Sequence, residues 1–153
     1  MMLPDTVSRV AEHTADEANQ RIRRRTEENI ELYSAAGDNF IDRRLAELDR
    51  EWDIERLLEA NAASVVLTGL LLSATVNRKW LLLPTAVGAF LLQHALQGWC
   101  PPLMWFRRIG FRTAREIEIE RFGLKLRRGD FARLGDSSNG SAKVAELIAA
   151  IQR

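Results

Sequence analysis

The feature that most constrains this chain is a stretch of 47 residues, Ala60 to Phe106, whose only charges are the adjacent Arg78 and Lys79. That pair divides it into apolar runs of 17 residues, Ala60 to Val76, and 27 residues, Trp80 to Phe106. A helix of about 20 apolar residues crosses the hydrocarbon core of a bilayer, so each run is close to spanning length. The overall content of 28% charged residues hides this pattern, because the charges lie in the flanks. Residues 1–59 carry 9 basic and 15 acidic side chains, and residues 107–153 carry 11 and 6. The expected class is all-α: a two-helix transmembrane hairpin with long amphipathic cytoplasmic helices on both sides.

Several classes drop out at once. There is no glycine fingerprint for a dinucleotide, and the single cysteine, Cys100, supports neither a disulfide scaffold nor a zinc cluster. No catalytic, cofactor-binding or metal-ligating set is expected, and the chain reads as not an enzyme. The basic run Arg21 to Arg25 is followed by Glu27 and Glu28, so it reads as a solvated helix face and not as a nucleic-acid patch. The first 20 residues lack the apolar core of a cleavable signal. Arg43, Arg44, Arg50, Arg56, Arg107, Arg108, Arg112 and Arg115 flank the outer ends of the two runs, against Arg78 and Lys79 at the connection. The positive-inside rule therefore expects a two-pass membrane protein with both termini cytoplasmic.

Along the chain, residues 1–36 read as a polar helix, with Val7, Ala11, Ala18, Ile22 and Asn29 as a thin stripe and Thr14 with Glu17 as a capping box. Residues 37–59 read as a juxtamembrane helix continuous with the first span, from Asn39 to Val76, with a seam of Ile41, Leu45, Leu48 and Trp52. The hairpin occupies residues 60–106, with spans at about 60–76 and 80–99. A cytoplasmic amphipathic helix follows over 107–134, in which Thr113 and Glu116 form a capping box. Residues 135–141 read as a linker and 142–153 as a C-terminal helix.

Within the spans, Ser64 and Thr68 lie four residues apart, and Gly69 and Ser73 repeat the spacing that lets helix backbones approach closely in lipid. Gln93, His94 and Gln97 would be costly against lipid, so they are expected to face the first span, a second copy or another protein. Trp80, Trp105, Phe106, Arg107 and Arg108 read as interfacial anchors.

Cys100 is the candidate thiol. The two prolines after it, Pro101 and Pro102, are expected to end the second helix, which puts Cys100 at a helix C-terminus where the dipole disfavours a thiolate. On one helix His94 and Cys100 would point roughly 120° apart. A Cys–His pair would need a break at Gly98, and the thiol is expected to be inert and slow to alkylate.

The residues Arg56-Leu57-Leu58, the small-residue-rich first span, the Trp80 start of the second, and Gly98-Trp99-Cys100-Pro101 before Ile109-Gly110 together resemble the YgaP-type inner-membrane domain family. That family is a two-helix hairpin found alone or fused behind a rhodanese sulfurtransferase domain. The wider block from Asn39 to Phe131 is similar to a proteobacterial branch of stand-alone members. The resemblance implies an inner-membrane protein of two helices that can self-associate; its rhodanese-linked sulfur chemistry does not carry over, because the chain has no rhodanese domain.

The reading that follows is a non-enzymatic inner-membrane hairpin that self-associates or serves as an accessory subunit of a membrane complex. Its expected partners are the lipid bilayer and a second copy or a larger complex, with no nucleic acid and no cofactor. Two other readings stay open. One is a membrane-anchored thiol protein in sulfur trafficking that uses Cys100. The other is a soluble helical oligomer that buries its apolar hairpins against one another.

Overall fold

The computed structural model describes residue 5, residues 7–132, and Ile148 and Ile151. The linker expected at 135–141 lies outside the described residues, as does the C-terminal helix apart from Ile148 and Ile151, both helical. The described residues form seven α-helices: α1 (Arg9–Glu12), α2 (Asp16–Ala36), α3 (Asp38–Leu48), α4 (Ile54–Thr75), α5 (Leu82–Gln97), α6 (Pro101–Ile109) and α7 (Ala114–Arg128). A 3₁₀ turn, Arg78–Leu81, joins α4 to α5, and no strand occurs among the described residues. The chain folds as two compact units, one from Met1–Arg24 and Trp52–Ile117, the other from Arg25–Glu51 and Glu118–Arg153.

The first unit is built on α4 and α5. Asp53 starts α4 by accepting a hydrogen bond from the Arg56 amide at 2.7 Å, the usual way an aspartate satisfies a free first-turn donor. The expected unbroken helix from Asn39 to Val76 is therefore not formed. The chain leaves helix after Leu48 and re-enters it at Ile54. At the far end, the Asn77 side chain accepts from the Lys79 amide at 2.8 Å and tightens the return.

Gly69 sets how closely the two helices pack. A Cβ placed there would come within 2.7 Å of Pro84 Cδ, so only glycine allows this approach. At the open end, Val10, Ile54, Leu58, Cys100 and Leu103 form a buried cluster; Phe106 and Phe111 pack against it and meet each other edge to face at 5.9 Å. The backbone joins in, as the Ile54 amide donates to the Arg112 carbonyl at 2.8 Å.

The outward faces of the two helices remain bare. Only 11% of the most apolar stretch of α4 is buried, whereas the core helix of a soluble protein is mostly covered. Leu67, Leu71, Leu82 and Leu92 are all exposed. The second apolar segment is bent: the direction changes by 68° between Arg78–Gln97 and the segment that begins at Pro101.

The N-terminal stripe is displaced from the expected one. The helix breaks at His13, and Val10, Thr14, Ala18, Ile22 and Thr26 are the buried positions, while Val7 is exposed. The expected Thr14–Glu17 capping box gives way because the Thr14 hydroxyl donates to the Val10 carbonyl at 2.7 Å and accepts from Arg107 Nε at 3.1 Å.

In the second unit Ile41, Leu45, Leu48 and Leu124 are buried, which matches three of the four seam positions. Trp52, the fourth, falls in the first unit, where it is exposed and carries the Arg56 guanidinium over its ring at 4.6 Å. Gly123 gives room to Ile30, whose Cδ1 would lie 2.5 Å from a Cβ at that position. Glu120, fully buried, accepts from Arg44 Nε at 2.7 Å and from Asn29 Nδ2 at 3.2 Å. A buried carboxylate of this kind requires such partners, because its desolvation costs several kcal/mol in their absence (on the order of the penalty per buried ion).

Candidate functional site

Polar side chains concentrate at the open end of the α4–α5 pair. His94 is buried at 4% exposure, and its Nε2 lies 2.8 Å from Glu55 Oε2 on the first turn of α4. A carboxylate can only accept, so the ring nitrogen facing it carries the proton. Arg9 approaches the same carboxylate through Nη2 at 3.5 Å and donates from Nη1 to the Ala95 carbonyl at 2.9 Å. This chain of groups ties α1, α4 and α5 together.

The turn after α5 controls what His94 meets. Gly98 takes a left-handed conformation, φ +75°, and its amide donates to the His94 carbonyl at 2.7 Å, ending the helix. The chain then extends through Cys100, and Pro101 and Pro102 open α6 as its first two residues, positions where a missing N–H costs nothing. Two expectations are thereby corrected. The prolines start a helix instead of ending one, and Cys100 sits at a helix N-terminus, where the dipole favours negative charge. The 120° separation of His94 and Cys100 assumed a single helix; with the break at Gly98 both side chains line one cavity of about 250 Å³. His94 Nδ1 is buried without an ordinary hydrogen-bond partner.

The remaining intramembrane candidates separate. Gly69 and Ser73 lie on the face toward α5, whereas Ser64 and Thr68 are exposed, their hydroxyls donating to the Ala60 and Ser64 carbonyls at 2.8 Å. Gln93 and Gln97 are half-buried beside the buried His94. Sequence reasoning missed Glu55 and Arg9 as members of this cluster. The one available signal was an acid at the border of an apolar run, and its partners stand 39 and 46 positions away.

Among the expected interfacial anchors, Trp80, Trp105 and Arg108 are exposed. Arg107 is not an anchor: it is buried at 1% exposure and all its donors are used within the fold. It donates to Thr14 Oγ1 at 3.1 Å, Asn19 Oδ1 at 2.8 Å, the Phe111 carbonyl at 3.0 Å, and both Glu116 oxygens at 2.6 and 2.8 Å. Phe106 turns inward against the core. The amphipathic period of α6 explains the split, since Leu103 and Arg107 are four apart on the inner face while Trp105 and Arg108 point out.

Glu116 also closes the capping box expected from the sequence, accepting from the Thr113 amide at 2.8 Å while its own amide donates to Thr113 Oγ1 at 3.2 Å. Burial works against its charge, but the bonds from Arg107 and Thr113 outweigh it and hold the carboxyl below the usual glutamate range. A depressed carboxyl stabilises the fold fully above its ordinary titration range, and this contribution is lost as pH falls through that range toward the lower folded value. The thermal midpoint of the wild type is therefore expected to drop on acidification there, and that of Glu116→Gln to drop less. Equal acid limbs in the two proteins would remove Glu116 from this role.

Two apolar helices are folded back on each other, outwardly bare and locked at their open end by buried polar groups. Residues 53–116 match the family model described as "Inner membrane protein YgaP-like, transmembrane domain". The matched segment begins at the Asp53 cap of α4 and ends at Glu116, so it contains the hairpin, Cys100, α6 and the Arg107 pair. No curated protein and no solved structure matches the chain.

Proposed function

We propose that the protein is a two-pass, non-enzymatic inner-membrane protein with both termini in the cytoplasm, whose hairpin self-associates or joins a larger membrane complex. The observation that carries this reading is the bare apolar exterior of α4 and α5, left over after the two helices have packed on each other. A surface of this kind is covered by lipid or by another apolar helix. The exposed Ser64 and Thr68 support pairing, because their hydroxyls are already satisfied by their own helix and their small size permits close approach.

Membrane fractionation with an alkaline wash, followed by native mass measurement in detergent, tests the reading. The expected result is retention in the washed membrane and a mass above that of one chain. A cysteine placed at Asn77 in a Cys100→Ala background should be labelled from the periplasm, and one at His13 should not. Release by the wash would favour the soluble assembly, and labelling at His13 alone would invert the topology.

A further inference from the structure

We propose that Cys100 is a nucleophilic modification site that accepts an acyl group from an acyl thioester, with His94 as its base and Glu55 as the positioning residue. Three independent observations converge on it. The thiol lies at the N-terminus of α6, where developing negative charge is favoured. His94 is buried at 4% exposure with Nδ1 unpartnered, while Nε2 is committed to Glu55, which leaves Nδ1 as the ring atom that can exchange a proton with the thiol. The cavity that both side chains line is walled by Ala62, Val65, Val87, Phe90 and Leu91, surfaces that suit a hydrocarbon chain.

A nucleophile beside a base that is itself oriented by a carboxylate is the general arrangement for covalent acyl transfer, and such contacts are commonly loose before the substrate binds. The step balances without an oxidant. Cys100 Sγ bonds to the carbonyl carbon of the thioester as its proton passes to His94 Nδ1. The tetrahedral intermediate then breaks its bond to the departing sulfur, which takes the proton back from Nδ1 and leaves as a free thiol. The inference stands whether or not the hairpin self-associates.

The test uses the full chain in detergent micelles with palmitoyl-coenzyme A as the probe, read by intact mass and by hydroxylamine lability. Cys100 is the chain's single cysteine, so the acyl adduct is assigned without ambiguity. The wild type is expected to gain one hydroxylamine-labile acyl group. His94→Gln, whose amide can still donate to Glu55, is expected to react about a hundredfold more slowly, the lower part of the range for a lost general base. Added imidazole should restore much of the rate in His94→Ala. Glu55→Gln should be slowed less than His94→Gln, and Glu55→Asp should recover part of the wild-type rate, which a merely structural role would not give. Absence of the adduct, equal rates in wild type and His94→Gln, or an adduct formed only with sulfide donors would each overturn the proposal.

Discussion

Arg107→Ala is expected to destabilise the protein by about 3–5 kcal/mol, the range for removing one member of a buried ion pair. The size follows from what is left behind. Glu116 would keep its charge in a site where two of its bonds came from Arg107, and Thr14 and Asn19 would each lose a donor at 3.1 and 2.8 Å. Replacing both partners relieves the unpaired charge, so Arg107→Met combined with Glu116→Gln should recover a substantial part of the loss. Thermal or denaturant unfolding in detergent measures both. An Arg107→Ala variant within about 0.5 kcal/mol of the wild type, as for an ordinary surface position, would return Arg107 to the role of an interfacial anchor.

Gly98→Ala is the second large effect. Two costs combine there: about 1–2 kcal/mol for a left-handed backbone with a Cβ, and about 1–3 kcal/mol for overpacking. The overpacking is specific, because the new methyl would lie 2.7 Å from Arg9 Cβ and 2.9 Å from the Arg9 backbone carbon. Gly37→Ala separates the two costs, since Gly37 also has positive φ, +100°, but opens onto free space. The thermal midpoint of Gly98→Ala should fall well below that of Gly37→Ala. Equal midpoints would mean that Arg9 yields and that α1 is not held against the end of α5.

These two residues also show where reading the chain succeeds and where it stops. The turn at Gly98 and the capping box at Thr113 and Glu116 are local, and the residue types announce them. The two apolar helices and the tight turn between them are equally legible, because two uncharged runs are separated only by Arg78 and Lys79. The buried face of α3 follows from the spacing of Ile41, Leu45 and Leu48. By contrast, the break between α3 and α4 rests on a single capping aspartate, Asp53, in a stretch whose composition is compatible with continuous helix. The polarity of the helix end at Cys100 is not legible for a related reason: two prolines are tolerated at a helix start as readily as they enforce a stop.

By itself, then, the sequence determined the helical class, the two apolar segments, their tight return and the places where local hydrogen bonds begin or end a helix, because periodicity and capping act over four residues or fewer. Only the tertiary structure decided which polar groups are buried together. Arg107 meets Thr14 across 93 positions, Glu55 meets His94 across 39, and Cys100 joins that cluster only because Gly98 redirects the chain. Spacing along a helix fixes the direction in which a side chain points. What it meets there depends on the elements that hydrophobic packing brings alongside, and a charged residue near an apolar run looks the same whether it ends at a headgroup or in a buried pair.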